Sequence, residues 1–305
     1  MTEPTKTARG ASTTCKMDAP VLEKALIAYA RAFPLRKGKL RVIDRLWRAA
    51  AGGRGTTRLA DLRYGGLKMP CDLTEMLQRQ FYFFGTYFLE EKILNCWTKA
   101  AKEAEVIFDV GANFGIYSLA ALASQPNAVV HAFEATPEIA GRLRQIAHLN
   151  SLDNLLIHEV AVASQSGQAI LRRYRGDSGT NEGMNYICAD TGEPGAERVQ
   201  TICLDEFCRE CRIAHIDLLK LDVQGNEDSV LRGAEGLVRL GQVGTIFMEL
   251  NWAAPGAGCP ATASVGLLAE SGYRFASPAD CDNWRDAGDW LVGLSDVVAR
   301  RLEAT

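Results

Sequence analysis

From Val106 onward the chain alternates short apolar runs with longer stretches whose apolar residues recur every three or four positions. VIFDV (106–110), AVVHAFE (128–134), LLIHEVAV (155–162), IDLLKLDV (216–223) and GTIFMEL (244–250) have the length and apolar texture of buried strands. Between them, FGIYSLAALAS, PEIAGRLRQIAHLN and EDSVLRGAEGLVRL have helical texture, with Pro137 suited to a first helical turn. Strands this apolar, separated by helices, predict a parallel sheet covered on both faces. A helix near 262–271 follows, then YRFAS and DWLVGLS as the expected final strands.

Upstream the pattern differs. Residues 1–17 are small and polar and are expected to be disordered. Asp18 is a candidate cap for a helix carrying Leu22, Ala25, Leu26 and Tyr29 and ending near Pro34. A second helix is predicted over 39–50, a small hairpin turning at Gly65-Gly66, and a longer helical segment over roughly 73–101. The expected organisation is therefore a tail (1–17), an N-terminal helical segment with a hairpin (18–100) and an α/β domain (101–305). Between the third and fourth strands lies a polar excursion, RGDSGTNEGMNY through TGEPGAER, which reads equally as a cover over a substrate or a tolerated insertion.

With 47% hydrophobic and 23% charged residues the chain has the balance of a soluble globular protein. No apolar run approaches the ~20 residues of a membrane helix, and residues 1–17 hold no secretory core segment, so a cytoplasmic location is expected. The nine cysteines are odd in number and several lie in apolar segments, which fits reduced thiols better than a disulfide framework. Cys203, Cys208 and Cys211 match part of an iron–sulfur spacing, but TICLDEFCRECRI reads as a helix whose stripe of Leu204, Phe207, Cys208 and Cys211 packs in a core. No metal is expected there. Residues 31–58 carry nine Arg or Lys against Asp44 alone, although the whole chain has a net charge of −3. The simpler reading of this block is a solvated helix face. The alternative is weak contact with a membrane surface or an anionic substrate, and no nucleic acid partner is expected.

In an open parallel sheet the ligand lies beyond the carboxyl ends of the strands. The first such end is Asp109-Val110-Gly111-Ala112-Asn113-Phe114-Gly115. Gly111 permits a sharp turn, Gly115 permits the next helix to start close to the strand, and Asn113 is tolerated because asparagine enters left-handed conformations readily. The second strand ends at Glu134, nineteen residues past Gly115, where an acid accepts hydrogen bonds from the two hydroxyls of a ribose. Together they point to an adenosine-containing ligand. A dinucleotide fingerprint needs G-x-G-x-x-G, and here Asn113 and Ile116 replace its second and third glycines. S-adenosylmethionine needs no pyrophosphate cradle and fits better.

With DVGANFG (109–115), AFEATPE (132–138), LDEF (204–207), LLKLDVQGNEDSVLRGA (218–234) and FMEL (247–250), the chain resembles the FkbM-type S-adenosylmethionine-dependent methyltransferases over roughly residues 60–295. The resemblance implies a class I methyltransferase fold, a Rossmann-like, doubly wound seven-stranded sheet with one reversed strand, here carrying a helical N-terminal extension. It also implies O-methylation of a hydroxyl on a sugar, glycan or natural-product small molecule. By position Asp109, Gly111, Ala112, Asn113, Gly115 and Glu134 would line the cofactor, and Asp222 would end the fourth strand beside the methyl-transfer site. Gln224 stands where the family usually has Glu, which argues against a metal held by Asp222, Glu227 and Glu249.

Methyl transfer from a sulfonium is an in-line displacement, catalysed largely by alignment and, for a hydroxyl, by a general base. Asp222 is the first candidate base and Lys220, two residues earlier, its partner; Glu227 and Glu249 follow. Each of the four histidines reads as packed or exposed rather than catalytic. Two other classes stay open: an NAD-linked oxidoreductase, and a non-catalytic module that binds S-adenosylmethionine.

Overall fold

The computed structural model describes residues 19–34, 36–51, 57–173, 175–176, 179–180, 185–189, 196–250 and 260–302. The predicted tail, the Asp18 cap and much of the polar excursion lie outside them. Helices α1 (Ala19–Ala32) and α2 (Lys39–Ala51) precede the hairpin of β1 (Thr57–Asp61) and β2 (Lys68–Asp72), with Gly65 and Gly66 both left-handed in its turn. The helical segment expected over 73–101 is broken. Left-handed Gly85 ends α3 (Met76–Phe84), and a 3-10 turn at Phe88–Glu90 leads into α4 (Glu91–Ala101).

The sheet domain runs β3 (Val106–Val110), α5 (Ile116–Ser124), β4 (Val129–Phe133), α6 (Pro137–Leu149), β5 (Leu155–His158) and β6 (Ala161–Val162). Next come β7 (Gly167–Arg172), β8 (Arg175–Gly176), β9 (Gly179–Thr180), β10 (Tyr186–Cys188), β11 (Arg198–Ile202) and α7 (Leu204–Cys211). The chain continues through β12 (Ile216–Leu221), α8 (Glu227–Arg232), α9 (Glu235–Leu240), β13 (Val243–Glu249) and α10 (Pro260–Glu270). It closes with β14 (Tyr273–Ser277), β15 (Asp280–Arg285) and β16 (Asp296–Arg301).

The main sheet has the order β15-β14-β16-β13-β12-β3-β4-β5. The five strands β13 to β5 are parallel, and β16 runs antiparallel to both neighbours. Eight strands are therefore present where seven were expected, because β15 folds back on β14 as an added edge. The expected strand DWLVGLS is also displaced. Asp289–Leu291 is a 3-10 turn that buries Leu291, and the pairing strand is the next segment, Asp296–Arg301. LLIHEVAV splits too: β6 leaves the main sheet and joins a second one of order β10-β7-β11-β6, to which the excursion contributes β10.

Alternation along the parallel strands fills two cores. Ile107, Val130, Leu218 and Phe247 face one side, where Trp97 of α4 meets Phe247 edge to face at 5.1 Å. Leu26, Ile43, Trp47 and Phe83 of the N-terminal segment belong to that same buried cluster. Phe108, Val110, Leu219, Leu221 and Ile246 face the other side, against α7, α8 and α9. Cys208 is buried there as expected, but Cys211 is exposed at the helix end and does not join the stripe.

Four of the nine basic residues of the block are tied to the fold. Arg31 donates to the carbonyl oxygens of Asp61, Tyr82 and Phe83; Lys39 is buried against the Ala30 and Phe33 carbonyls; Arg58 pairs with Glu23 at 3.0 Å; Arg36 pairs with Glu91. Lys37, Arg41 and Arg45 remain exposed.

His131 and His158 stack face to face, with Nδ1 of the first 3.1 Å from Nε2 of the second, among Phe108, Phe133 and Phe207. Burial first, and then the neighbouring His158, push His131 down to about 4. Between that value and the unfolded one the unfolded chain binds more protons, so this stabilisation is complete above about pH 6.5 and drains away as pH falls toward 4. We expect stability against urea to be lower at pH 5.0 than at pH 7.5, by about 1–2 kcal/mol from this histidine. His131→Leu should remove that part of the difference; an unchanged pH dependence in the variant would show that the charge lies elsewhere.

Candidate active site

The turn after β3 has three left-handed residues, Gly111 (φ 79°), Asn113 (φ 50°) and Gly115 (φ 74°). What comes close to the glycines is the chain itself. A Cβ on Gly111 would lie 1.9 Å from the carbonyl oxygen of Asp222, the residue after β12. One on Gly115 would lie 2.4 Å from Cδ1 of Leu143, so it is α6, rather than the helix that Gly115 begins, that needs the space. The turn's amides are spent internally. Gly111 and Ala112 donate to the Phe133 carbonyl, Asn113 to Glu134 Oε2, and Gly115 to the Ala112 carbonyl. An N-terminal helix turn with these amides occupied is a poor pyrophosphate cradle.

The strand ends frame a small cleft of about 90 Å³. Gly111, Asn113, Glu134, Thr136, Asp222 and Gln224 line it. Asn185, Tyr186 and Ile187 of the excursion line it as well. Of the residues expected at the cofactor, Gly111, Asn113 and Glu134 face the cleft. Asp109 lies beneath, its Oδ2 accepting from the Ser118 amide and hydroxyl at 3.0 and 2.6 Å, which fixes the start of α5. Ala112 and Gly115 are packing positions. Glu134 is almost fully buried, accepting from the Asn113 and Thr136 amides at 2.9 and 2.8 Å; burial raises its carboxyl above the ordinary value, against those donors.

The second half of the site gathers around Lys220. This ammonium is wholly buried, 3.4 Å from Asp222 Oδ2 and 4.8 Å from the centre of the Tyr117 ring. Burial alone would lower its pKa, but Asp222, Glu90, Asp296 and Asp109 outweigh that and raise it. Asp222 Oδ1 accepts from Gln224 Nε2 at 2.8 Å, and the same amide nitrogen lies 3.4 Å from Glu249 Oε2. The departure at 224 thus places a neutral donor between two carboxylates. Burial, then the charges of Asp222 and Glu227, push Glu249 up to about 8. Glu227, the third catalytic candidate, accepts from the Val223 and Gly225 amides through Oε1 and so pins the turn between β12 and α8.

Sequence reasoning missed Glu90, Tyr87, Tyr117 and Asp296. Glu90 Oε2 accepts from the Tyr117 hydroxyl at 2.6 Å, and burial, with Asp222 nearby, pushes it up to about 7 despite Lys220. Nothing in the sequence singled it out. Among the described residues, no group of three or more His, Cys, Asp or Glu is placed to hold a metal ion.

The parallel strand order, its reversed β16 and a ligand cleft at the β3, β4 and β12 ends define a Rossmann-like methyltransferase fold. A profile of the methyltransferase FkbM domain matches residues 109–275, more than half of the sequence, and the chain belongs to that family. It is 29% identical over 147 residues to the 2-O-methyltransferase NoeI of Sinorhizobium fredii, covering 44% of this chain and 59% of that one. It is 30% identical over 158 residues to the 31-O-demethyl-FK506 methyltransferase FkbM of Streptomyces tacrolimicus, covering 44% of this chain and 61% of that one. The aligned regions thus span about six tenths of each relative's length. Among solved structures, an S-adenosylmethionine-dependent methyltransferase from Agrobacterium tumefaciens aligns with a TM-score of 0.44 at 10% identity, covering 82% of this chain and 72% of that one.

S-adenosylmethionine, the cofactor of this methyltransferase family, fits the residues present. Glu134 offers an acid at the β4 end, and Asn113 Oδ1 is a buried acceptor at the cleft without a partner among the described residues. No described helix is long and apolar enough to cross a membrane.

Proposed function

We propose that the protein transfers a methyl group from S-adenosylmethionine to a hydroxyl on a sugar, glycan or natural-product small molecule. The observation that carries this reading is one cleft holding Asn113, Glu134 and Asp222 at three adjacent parallel strand ends. The two relatives, a 2-O-methyltransferase and a 31-O-demethyl-FK506 methyltransferase by name, support transfer to oxygen. When bound, S-adenosylmethionine supplies an electrophilic methyl carbon on a sulfonium. Glu134 holds the ribose hydroxyls, and Asn113 Oδ1 accepts from a donor group of the cofactor. Asp222, which accepts from Gln224 and pairs with Lys220, accepts the acceptor hydroxyl's hydrogen bond and orients its oxygen.

Calorimetric titration with S-adenosylhomocysteine, and separately with NADH, tests the cofactor half. Wild type should bind S-adenosylhomocysteine in the micromolar range and NADH not at all. Glu134→Ala should weaken binding roughly 10- to 100-fold, the worth of one or two charge-assisted hydrogen bonds. Binding of NADH in preference would replace this reading with the oxidoreductase one.

A further inference from the structure

We propose that Gln224 selects the acceptor. Its side-chain oxygen takes a hydrogen bond from the hydroxyl next to the one methylated, so the preferred substrate presents a vicinal diol. The proposal rests on the methyl-transfer reading above and adds which hydroxyls that chemistry serves.

Gln224 lines the cleft together with Asp222 and Val223. Its Nε2 lies 2.8 Å from Asp222 Oδ1 and 3.4 Å from Glu249 Oε2. An ionised carboxylate only accepts, so the amide atom turned toward Asp222 is the nitrogen, and the oxygen points elsewhere. Among the described residues no group donates to that oxygen, nor is it sealed from solvent. The amide is thus held by its nitrogen and offers its oxygen at the cleft.

The backbone here is costly to hold. Gln224 has φ 54°, a left-handed conformation that disfavours any residue with a Cβ. Glu227 enforces the turn by accepting from the Val223 and Gly225 amides at 3.0 and 3.2 Å. Strain enforced in this way collects at functional positions. Here it accompanies the placement of Gln224 edge to edge with Asp222. The pair offers two kinds of acceptor side by side, carboxylate oxygens and an amide oxygen. Each carboxylate oxygen keeps a lone pair after serving Gln224 and Lys220. Two neighbouring hydroxyls bring two donors to match. A lone alcohol would leave the amide oxygen unserved, and a glutamate at 224 would leave Asp222 Oδ1 without its donor.

The test measures S-adenosylhomocysteine formation with methyl glycosides of glucose, mannose and fucose and with their monodeoxy analogues, the methylated position being read from the product. In wild type, removing the hydroxyl beside the methylated one should lower kcat/KM about 10-fold, the worth of one hydrogen bond. Gln224→Met keeps the length without the amide. It should be slower on the parent glycosides and lose the preference, parent and deoxy compounds reacting alike. Gln224→Gly suits φ 54° and also lacks the amide, so it gives the same comparison should Gln224→Met not fold. Gln224→Glu keeps an acceptor oxygen and should retain the preference at a lower rate. A purely structural role would slow parent and deoxy compounds together and leave their ratio untouched. A deoxy penalty as large in Gln224→Met as in wild type overturns the proposal, and so does a wild type that shows no penalty. If wild type binds S-adenosylhomocysteine but methylates none of the glycosides, the diol proposal is overturned and the cofactor half of the methyl-transfer reading stands. If it binds none, that reading has failed and the proposal with it.

Discussion

Gly111→Ala is expected to be among the most damaging single-methyl changes available in this chain, costing on the order of 4 kcal/mol of stability and abolishing S-adenosylhomocysteine binding. Two separate causes act at once. The residue sits at φ 79°, where an L side chain costs about 1–2 kcal/mol. The new methyl would also lie 1.9 Å from the Asp222 carbonyl oxygen, which is backbone and cannot rotate away. Gly66→Ala provides the comparison, since its φ of 72° is similar but nothing lies within 4 Å of its Cβ position. Urea unfolding should therefore show a loss of about 1 kcal/mol at Gly66 and several times that at Gly111. Equal losses at the two sites would mean that β3 and the β12 end move apart freely and that the contact is not a constraint.

Lys220→Met should rank second, through charge rather than shape. Methionine fills much the same volume beside Tyr117, but it leaves Asp222, Glu90, Asp296 and Asp109 without their shared cation. Removing one partner of a buried ionic group typically costs about 3–5 kcal/mol. The pH dependence fixes the mechanism. Carboxyls whose folded pKa is raised bind more protons folded than unfolded, so their contribution to stability falls as pH rises through the window from about 4.5 to 8. The deficit of Lys220→Met against wild type should thus be small near pH 5 and largest near pH 8. A deficit that stays constant across that range would identify a packing defect instead.

The legible parts of this fold were those governed by local chemistry. The turn at 111–115 could be read because left-handed conformations restrict residue choice one position at a time. Glu134 could be read because the distance from a glycine turn to the next strand end is set by one helix and one strand. The five parallel strands followed from apolar runs that no other environment in a soluble chain tolerates. The failures have a common origin in long-range packing. DWLVGLS is apolar because Leu291 fills a core and Trp290 packs at its edge, not because it pairs, while the true strand ends in Arg300 and Arg301 at an exposed margin. Segment 73–101 keeps helical periodicity across Gly85, and only the approach of the Asp61 carbonyl at 2.9 Å to its Cβ position shows why the chain turns there. Gln224 was visible as an oddity, but its role between Asp222 and Glu249 depends on β13 lying beside β12. Glu90 and Tyr117 meet through a hydrogen bond between segments that sequence periodicity treats separately.

The contact between Gly111 and the Asp222 carbonyl also bears on when this protein becomes competent during its own synthesis. Strand β12 pairs in register with β3, Lys220 opposite Asp109, although the whole of residues 111–215 intervenes. Pairings of such sequence separation form slowly, because the loop must close before the contact rewards it. A nascent chain that has emerged through β5 therefore holds Gly111, Asn113 and Glu134 but lacks the backbone against which their turn is pressed. Ligand capture should begin only after residue 222 has left the ribosome, and a chain stalled before it should expose the apolar edge of β3 to chaperones.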